Sequence, residues 1–270
     1  MRERRPSQTA AQVAVLRALA DRGYTHVEGF ADPVARNLLS GFWSGVLRVA
    51  ERGFERLQPE VRDRIIDELD IVARRVRAID SELERTVAEG VRQVVILGAG
   101  LDTRALRMSA LAQADVFEVD HPASQEFKKR KASTLPVAAK SLRFVRNDFE
   151  RDALAPAMSA AGFEPAQPSV WICEGVVMYL TDAALAETLR AVAALSAHGS
   201  TLLLHYHLPR GARRLMAWNR VITRGVGEPQ IGLRTREQMS DAVEHAGFGV
   251  LRDLQIDAGH PNCRLLIATR

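Results

Sequence analysis

The segment Val94-Val95-Ile96-Leu97-Gly98-Ala99-Gly100 constrains this chain more than any other. A short apolar, β-branched run that empties into Gly-x-Gly and then into a helical stretch reads as the first strand and turn of a nucleotide-binding α/β unit. Glycines at 98 and 100 let the backbone turn sharply and come close to a ligand, with Ala99 between them. The next apolar run, Phe117-Glu118-Val119-Asp120, ends in an acid about 20 residues on, placed to accept hydrogen bonds from both ribose hydroxyls. An adenosine-type cofactor follows. A dinucleotide fingerprint would carry a third small residue where Thr103 stands, and the fourth position is the bulky Leu101. That weakens a pyrophosphate reading.

At 270 residues the chain is long enough for one elaborated domain without disulfide or metal staples. Hydrophobic residues make up 47% and no apolar run approaches the ~20 residues of a membrane span, so a soluble protein with no membrane partner is expected. The charged start Met1-Arg2-Glu3-Arg4-Arg5-Pro6 leads into an amphipathic segment rather than a secretory core, and cytoplasmic localisation is the expectation. The net charge of +4 is spread among alternating acids and bases, a solvated surface rather than a nucleic-acid stripe. Cys173 and Cys263 sit in apolar runs with no ligand at metal-binding spacing, which predicts buried free thiols and no metal.

Helical spacing over 7–21 and a proline-led helix from Asp32-Pro33 predict a helical first third. From Pro59, the apolar positions Val61, Ile65, Leu69, Val72, Val76, Ile79, Leu83 and Val87 describe one long amphipathic helix. After Gly90 strands are predicted near 92–97, 114–119, 142–146, 169–173 and 200–206. Helices near 101–112, 122–132, 149–161 and 181–196 alternate with them, the signature of a parallel sheet covered on both faces. A Thr-capped helix from Arg234-Thr235 to Gly247 and strands over 248–256 and 264–269 close the chain. The fold class is α/β: a Rossmann-like, seven-stranded, mostly parallel sheet with a terminal antiparallel strand, of the class I methyltransferase kind. The expected division is a helical cap over 1–89 and a core over 90–270, with an insertion at 209–232 above the acceptor site.

Three segments carry a resemblance across most of the chain: Leu97-Gly98-Ala99-Gly100-Leu101-Asp102-Thr103-Arg104, then Phe117-Glu118-Val119-Asp120-His121-Pro122, and Cys173-Glu174-Gly175-Val176-Val177-Met178-Tyr179-Leu180. With weaker echoes at Phe30-Ala31-Asp32-Pro33 and Gly227-Glu228-Pro229, the chain resembles the leucine carboxyl methyltransferase family, in its bacterial branch of polyketide and natural-product O-methyltransferases. The resemblance implies S-adenosyl-L-methionine as cofactor. Arg75 matches the family arginine that pairs the methionyl carboxylate, a bidentate task suited to guanidinium, and Arg17 matches a second basic position. Gly98, Ala99 and Gly100 would approach the methionyl group and Asp120 the ribose. Asp148 would accept from the adenine amine and Phe149, where the family often has leucine, would cover the ring. Glu174 ends an apolar strand at the carboxyl edge of the sheet, where an unpartnered carboxylate is costly and the cofactor ammonium is a suitable partner. Asp102 and Arg104 are read as structural.

Methyl transfer from a sulfonium is an in-line displacement, so the protein mainly orients and desolvates. A carboxylate acceptor needs no base, whereas a phenol near pKa 10 benefits from one. Candidates are His205 and His207, which strand alternation puts on one face, and Tyr206 on the other. Tyr179, Arg213 and Trp218 are expected to line the acceptor pocket. A small-molecule acceptor, polyketide-like, is favoured, and a homo-oligomer is left open. The rival readings are a protein C-terminal carboxyl methyltransferase, a non-catalytic cofactor-binding protein and an NAD-dependent oxidoreductase, which would want a small residue at 103 and a Tyr-x-x-x-Lys group.

Overall fold

A computed structural model describes residues 7–209 and 232–270. The helical first third consists of α1 (Gln8–Asp21), α2 (Gly41–Phe54) and α3 (Pro59–Ala88). Ser7 caps α1 by accepting from the Ala10 amide at 3.1 Å, and Ser40 caps α2 by accepting from Trp43. Pro59 stands at the first position of α3, where its missing N–H costs nothing. No helix opens at Asp32-Pro33. Ala35–Leu38 makes a single 3-10 turn instead. Asp32 is fully buried, and its carboxylate is claimed by Ala35 N, Thr103 Oγ1 and Arg17 Nη1, which fixes a tertiary corner in place of a helix cap.

The core alternates as predicted: β1 (Gln93–Leu97), α4 (Arg104–Arg107), β2 (Asp115–Asp120), α5 (Pro122–Ala132), β3 (Ser141–Arg146), α6 (Leu154–Ala160), β4 (Ser169–Cys173), α7 (Asp182–Ala194), β5 (Thr201–His207), α8 (Arg236–His245), β6 (Gly249–Gln255) and β7 (Cys263–Thr269). Two helices are shorter than expected. The stretch 101–112 breaks at Met108, which is extended and buried, into α4 and a 3-10 turn at Ser109–Gln113. The stretch 149–161 is helical only from Leu154, which puts Pro156 in the first turn, where N–H groups have no intrahelical partner anyway.

The seven strands lie in the order β3-β2-β1-β4-β5-β7-β6. The first five pair in parallel and β7 runs antiparallel to both β5 and β6. The order reverses between β1 and β4, and in open sheets of this kind ligands bind outside the carboxyl ends at such a switch point. One face of the sheet packs Val95, Phe117, Trp171, Leu202 and Leu204 against α6, α7 and α8. The other packs Val94, Ile96, Val170, Ile172 and Leu203 against Ile79, Leu83 and Val87 of α3. Each such fully buried side chain contributes about 1.5–3 kcal/mol. The first half of α3, through Leu69, joins a third cluster with α1, α2, Leu101 and Leu106. One helix thus fixes the N-terminal helices above the β1 turn. No helix among the described residues is long and apolar enough to cross a membrane.

Candidate functional site

The turn after β1 has both glycines at positive φ, 61° at Gly98 and 48° at Gly100, a region that L side chains rarely occupy. A Cβ on Gly98 would stand 2.3 Å from Val176 Cγ2, and one on Gly100 would meet Ala10 Cβ at 3.0 Å. Glycine is needed at 98 on both counts. Ala99 N donates to Val119 O at 3.1 Å, tying the turn to β2. At the end of β2, Asp120 accepts Gly100 N at Oδ2 and His121 N at Oδ1, 2.5 and 2.6 Å respectively. Burial pushes its carboxyl up and these two amides pull it back, leaving it above the ordinary value. Each oxygen retains a lone pair for a ligand hydroxyl.

Glu174 follows β4 directly, one strand from the glycine turn. Its Oε1 takes Arg75 Nε and its Oε2 takes Arg104 Nη2, both at 2.8 Å, with 13% of the side chain exposed. Burial alone would raise this carboxyl, but Arg104 and then Arg75 outweigh it and hold it well below the usual range. Arg104, read from sequence as a structural helix-start residue, is the centre of a buried array. It also donates to Asp80 Oδ1 at 2.7 Å and to Asp102. Asp80 in turn holds Arg107 Nη2 at 2.5 Å. Arg17 donates Nη2 to Leu101 O at 2.5 Å and pairs Asp32 at 3.0 Å, which locks α1 to the loop beyond the glycines. The fold sets Arg75 and Glu174 side by side, two residues given separate cofactor groups by the sequence. The sequence offered no sign that they bind each other across 99 positions.

Asp148 and Phe149 lie just past β3. Asp148 Oδ1 accepts Glu150 N at 3.2 Å, so the carboxylate shapes its own turn, while Phe149 packs partly buried against the sheet cluster. His205 is fully buried and both its nitrogens have neighbours: Gly175 N donates to Nδ1 at 3.2 Å, and Nε2 lies 3.3 Å from Cys263 Sγ. His207 shares that face, its ring 4.7 Å from His205 edge to face. Burial and then Arg75 lower His207 to about 4. Tyr206 points to the opposite face and its hydroxyl donates to Asp253 Oδ2 at 2.9 Å, apart from the histidines. Cys173 and Cys263 are buried free thiols, as expected. Sequence spacing missed the proximity of Cys263 to the histidines, which β5–β7 pairing creates. Tyr179 ends a 3-10 turn after Glu174. Arg234, not singled out in the sequence, donates to Val177 O, Leu180 O and Gly232 O around that turn. Arg213 and Trp218, expected along the acceptor pocket, lie outside the described residues.

A cavity of about 310 Å³ adjoins the glycine turn, walled by Gly100, Ala10, Ala11, Trp43, Ser124 and Phe127.

Comparison with known proteins identifies the family and the fold. The family model described as leucine carboxyl methyltransferase matches residues 10–193. A protein of Mycolicibacterium paratuberculosis, named as an S-adenosyl-L-methionine-dependent methyltransferase, is 37% identical over 203 residues, 74% of this chain and 66% of that protein. A Mycobacterium marinum protein of the same name is 37% identical over 207 residues, 76% of this chain and 67% of its own. The chain thus spans about two thirds of the length of these curated relatives. Among solved structures, a methyltransferase-titled protein of Thermobifida fusca superposes with TM-score 0.60 at 15% identity, covering 98% of this chain and 95% of that one. A protein of Streptomyces avermitilis titled as of the duf574 family superposes with TM-score 0.56 at 15% identity, covering 98% of each. The fold is the class I methyltransferase fold, and the chain belongs to the leucine carboxyl methyltransferase family.

Proposed function

We propose that this protein is an O-methyltransferase that moves a methyl group from S-adenosyl-L-methionine to a carboxylate or hydroxyl of a small molecule, polyketide-like in character. The cofactor is the one in the names of its curated relatives. The observation that carries the reading is the pair of carboxylates flanking the glycine turn: Asp120, with acceptor capacity left at each oxygen, and Glu174, kept ionised between Arg75 and Arg104. A ribose diol suits the first and an ammonium the second, since an ionised carboxylate offers about four lone-pair sites and the arginines use two. These residues fit the cofactor.

Arg75 engages Glu174 through Nε, and its two Nη groups supply a bidentate partner for the methionyl carboxylate. Arg17 keeps α1 seated over the turn. Asp148 and Phe149, past the end of β3, are the adenine-side residues. When bound, the cofactor supplies a methyl carbon already activated by its sulfonium, so the chain's task is to orient the acceptor and exclude water. His205 has both nitrogens engaged. His207, neutral near pH 7, is the member of the pair able to hydrogen-bond and orient a hydroxyl acceptor; at about 4 its ring is too weak a base to ionise a phenol near pKa 10.

Thermal melting with S-adenosylmethionine, S-adenosylhomocysteine and NAD in parallel tests the cofactor. A ligand at a hundred times its Kd adds about 2.7 kcal/mol to stability. Stabilisation by NAD alone overturns the reading. Incubation with cofactor and panels of small carboxylic acids and phenols, read by mass spectrometry for one added methyl, tests the acceptor class.

A further inference from the structure

Strands β5 and β7 pair with His207 directly opposite Cys263. Opposed residues on paired strands share a face, as do residues two apart on one strand, so His205, His207 and Cys263 converge. One donor atom of each lies within 4.8 Å of the others, His205 and Cys263 buried and His207 half-buried. We propose that these three side chains form a binding site for a borderline-soft divalent ion of the zinc class, one residue removed from Glu174 through the Gly175 amide.

The donor set selects the ion. Two imidazoles and a thiol suit zinc or its neighbours and not magnesium or calcium, which want oxygen. Donors at zinc bond lengths of ~2.0–2.3 Å in a tetrahedron lie roughly 3.3–3.6 Å apart. His205 Nε2 and Cys263 Sγ, at 3.3 Å, already stand so. The remaining contraction falls on His207, the only one of the three that is not fully enclosed. An ion takes each imidazole in its neutral form. Cys263 is different: it is a buried free thiol, so an ion has to displace a proton there.

Two features oppose binding. Gly175 N donates to His205 Nδ1, so coordination through Nε2 moves the ring proton to Nδ1 and forfeits that bond. Arg75 is cationic and near, but Glu174 neutralises it at 2.8 Å. Structural zinc sites bind tightly enough to drive the folding of whole small domains, so a three-ligand site tolerates the loss of one amide bond. Three protein donors leave one position open, the arrangement of catalytic zinc. In the ion-loaded protein an acceptor hydroxyl occupying it would lose its proton to solvent more readily, with His207 held as a ligand. That role rests on the methyl-transfer reading; ion binding does not.

The test uses the full chain, equilibrated with zinc chloride, dialysed and assayed by plasma mass spectrometry, alongside cobalt(II) substitution followed by absorption. The expected result is one zinc per chain and a thiolate-to-cobalt charge-transfer band, both lost in Cys263→Ser and in His207→Ala. His207 is half-buried, so at least that variant should fold, as circular dichroism will check. Less than a tenth of an equivalent of zinc in the wild type overturns the proposal, as does an unchanged cobalt spectrum in Cys263→Ser. A chelator arm separates the roles: zinc binding with methyl transfer indifferent to chelation leaves the site and removes its part in acceptor activation. Zinc binding without any methyl transfer overturns the activity alone.

Discussion

Arg104 Nη2 and Glu174 Oε2 lie 2.8 Å apart, joining the helix start after β1 to the loop after β4 across the switch point of the sheet. With Asp80 and Asp102 on its other donors, Arg104 is 2% exposed at its side chain and surrounded by three carboxylates. Removing one partner of a buried ion array leaves uncompensated charge, at about 3–5 kcal/mol. Arg104→Ala should therefore lower the urea midpoint strongly. Arg75→Ala should leave Glu174 still paired and mainly weaken cofactor affinity, read by calorimetric titration. Equal stability losses in both variants would contradict this division.

At Gly98, alanine meets both a left-handed backbone and Val176 Cγ2 at 2.3 Å. The conformation alone costs about 1–2 kcal/mol, and the clash must move Val176, two residues from Glu174. Gly98→Ala should lose cofactor-induced stabilisation in thermal melting. Gly90→Ala, also at positive φ but with nothing within 4 Å, should lose stability and keep cofactor binding.

Tyr206 offers a clean separation of strand faces. Its hydroxyl serves Asp253, and Tyr206→Phe should cost about 1 kcal/mol in stability with no change in kcat. His207→Gln, on the other face, should lower kcat with a hydroxyl acceptor and leave stability nearly unchanged. A kcat loss in Tyr206→Phe matching that of His207→Gln would put the tyrosine at the reacting groups.

Two buried carboxylates give pH dependences of opposite sign. Glu174 has its folded pKa depressed, so its contribution is present above the unfolded value near 4.5 and is lost as pH falls toward the lower folded value. Glu118 is raised to about 7 by burial, despite Lys128 Nζ at 2.5 Å. Between about 4.5 and about 7 the folded state holds its proton and the unfolded state does not, so this group makes stability fall as pH rises through that window. Above about pH 7, where the carboxylate is ionised, Glu118→Gln should destabilise by about 3–5 kcal/mol by stranding Lys128, and the loss should shrink as pH falls below that value; Glu118→Leu with Lys128→Met should be close to neutral. Urea midpoints between roughly pH 5 and roughly pH 7 should rise more steeply with pH in the double variant. An unchanged slope would mean that Glu118 does not titrate there.

Much of the architecture was legible because it follows from local periodicity. The apolar step of α3, the alternation after Gly90 and the Thr235 cap with Gln238 each write their element into consecutive residues. The elements that differed, the corner at Asp32 and the break at Met108, are those whose local preference is overridden by burial and long-range pairing.

By itself, the order of residues determined the glycine turn, the acid that ends β2, the acid that follows β4 and the common face of the two histidines, since each depends on neighbours within a few positions. It could not determine which charges meet. Glu174 could have waited for a ligand ammonium; the fold instead seats it between Arg75 and Arg104, 99 and 70 positions away. Cys263 reaches the histidines only because β7 returns antiparallel beside β5. The reason is range: backbone propensity acts over a turn or a strand, whereas ion pairing and donor convergence act through space, and only the packed sheet sets those distances.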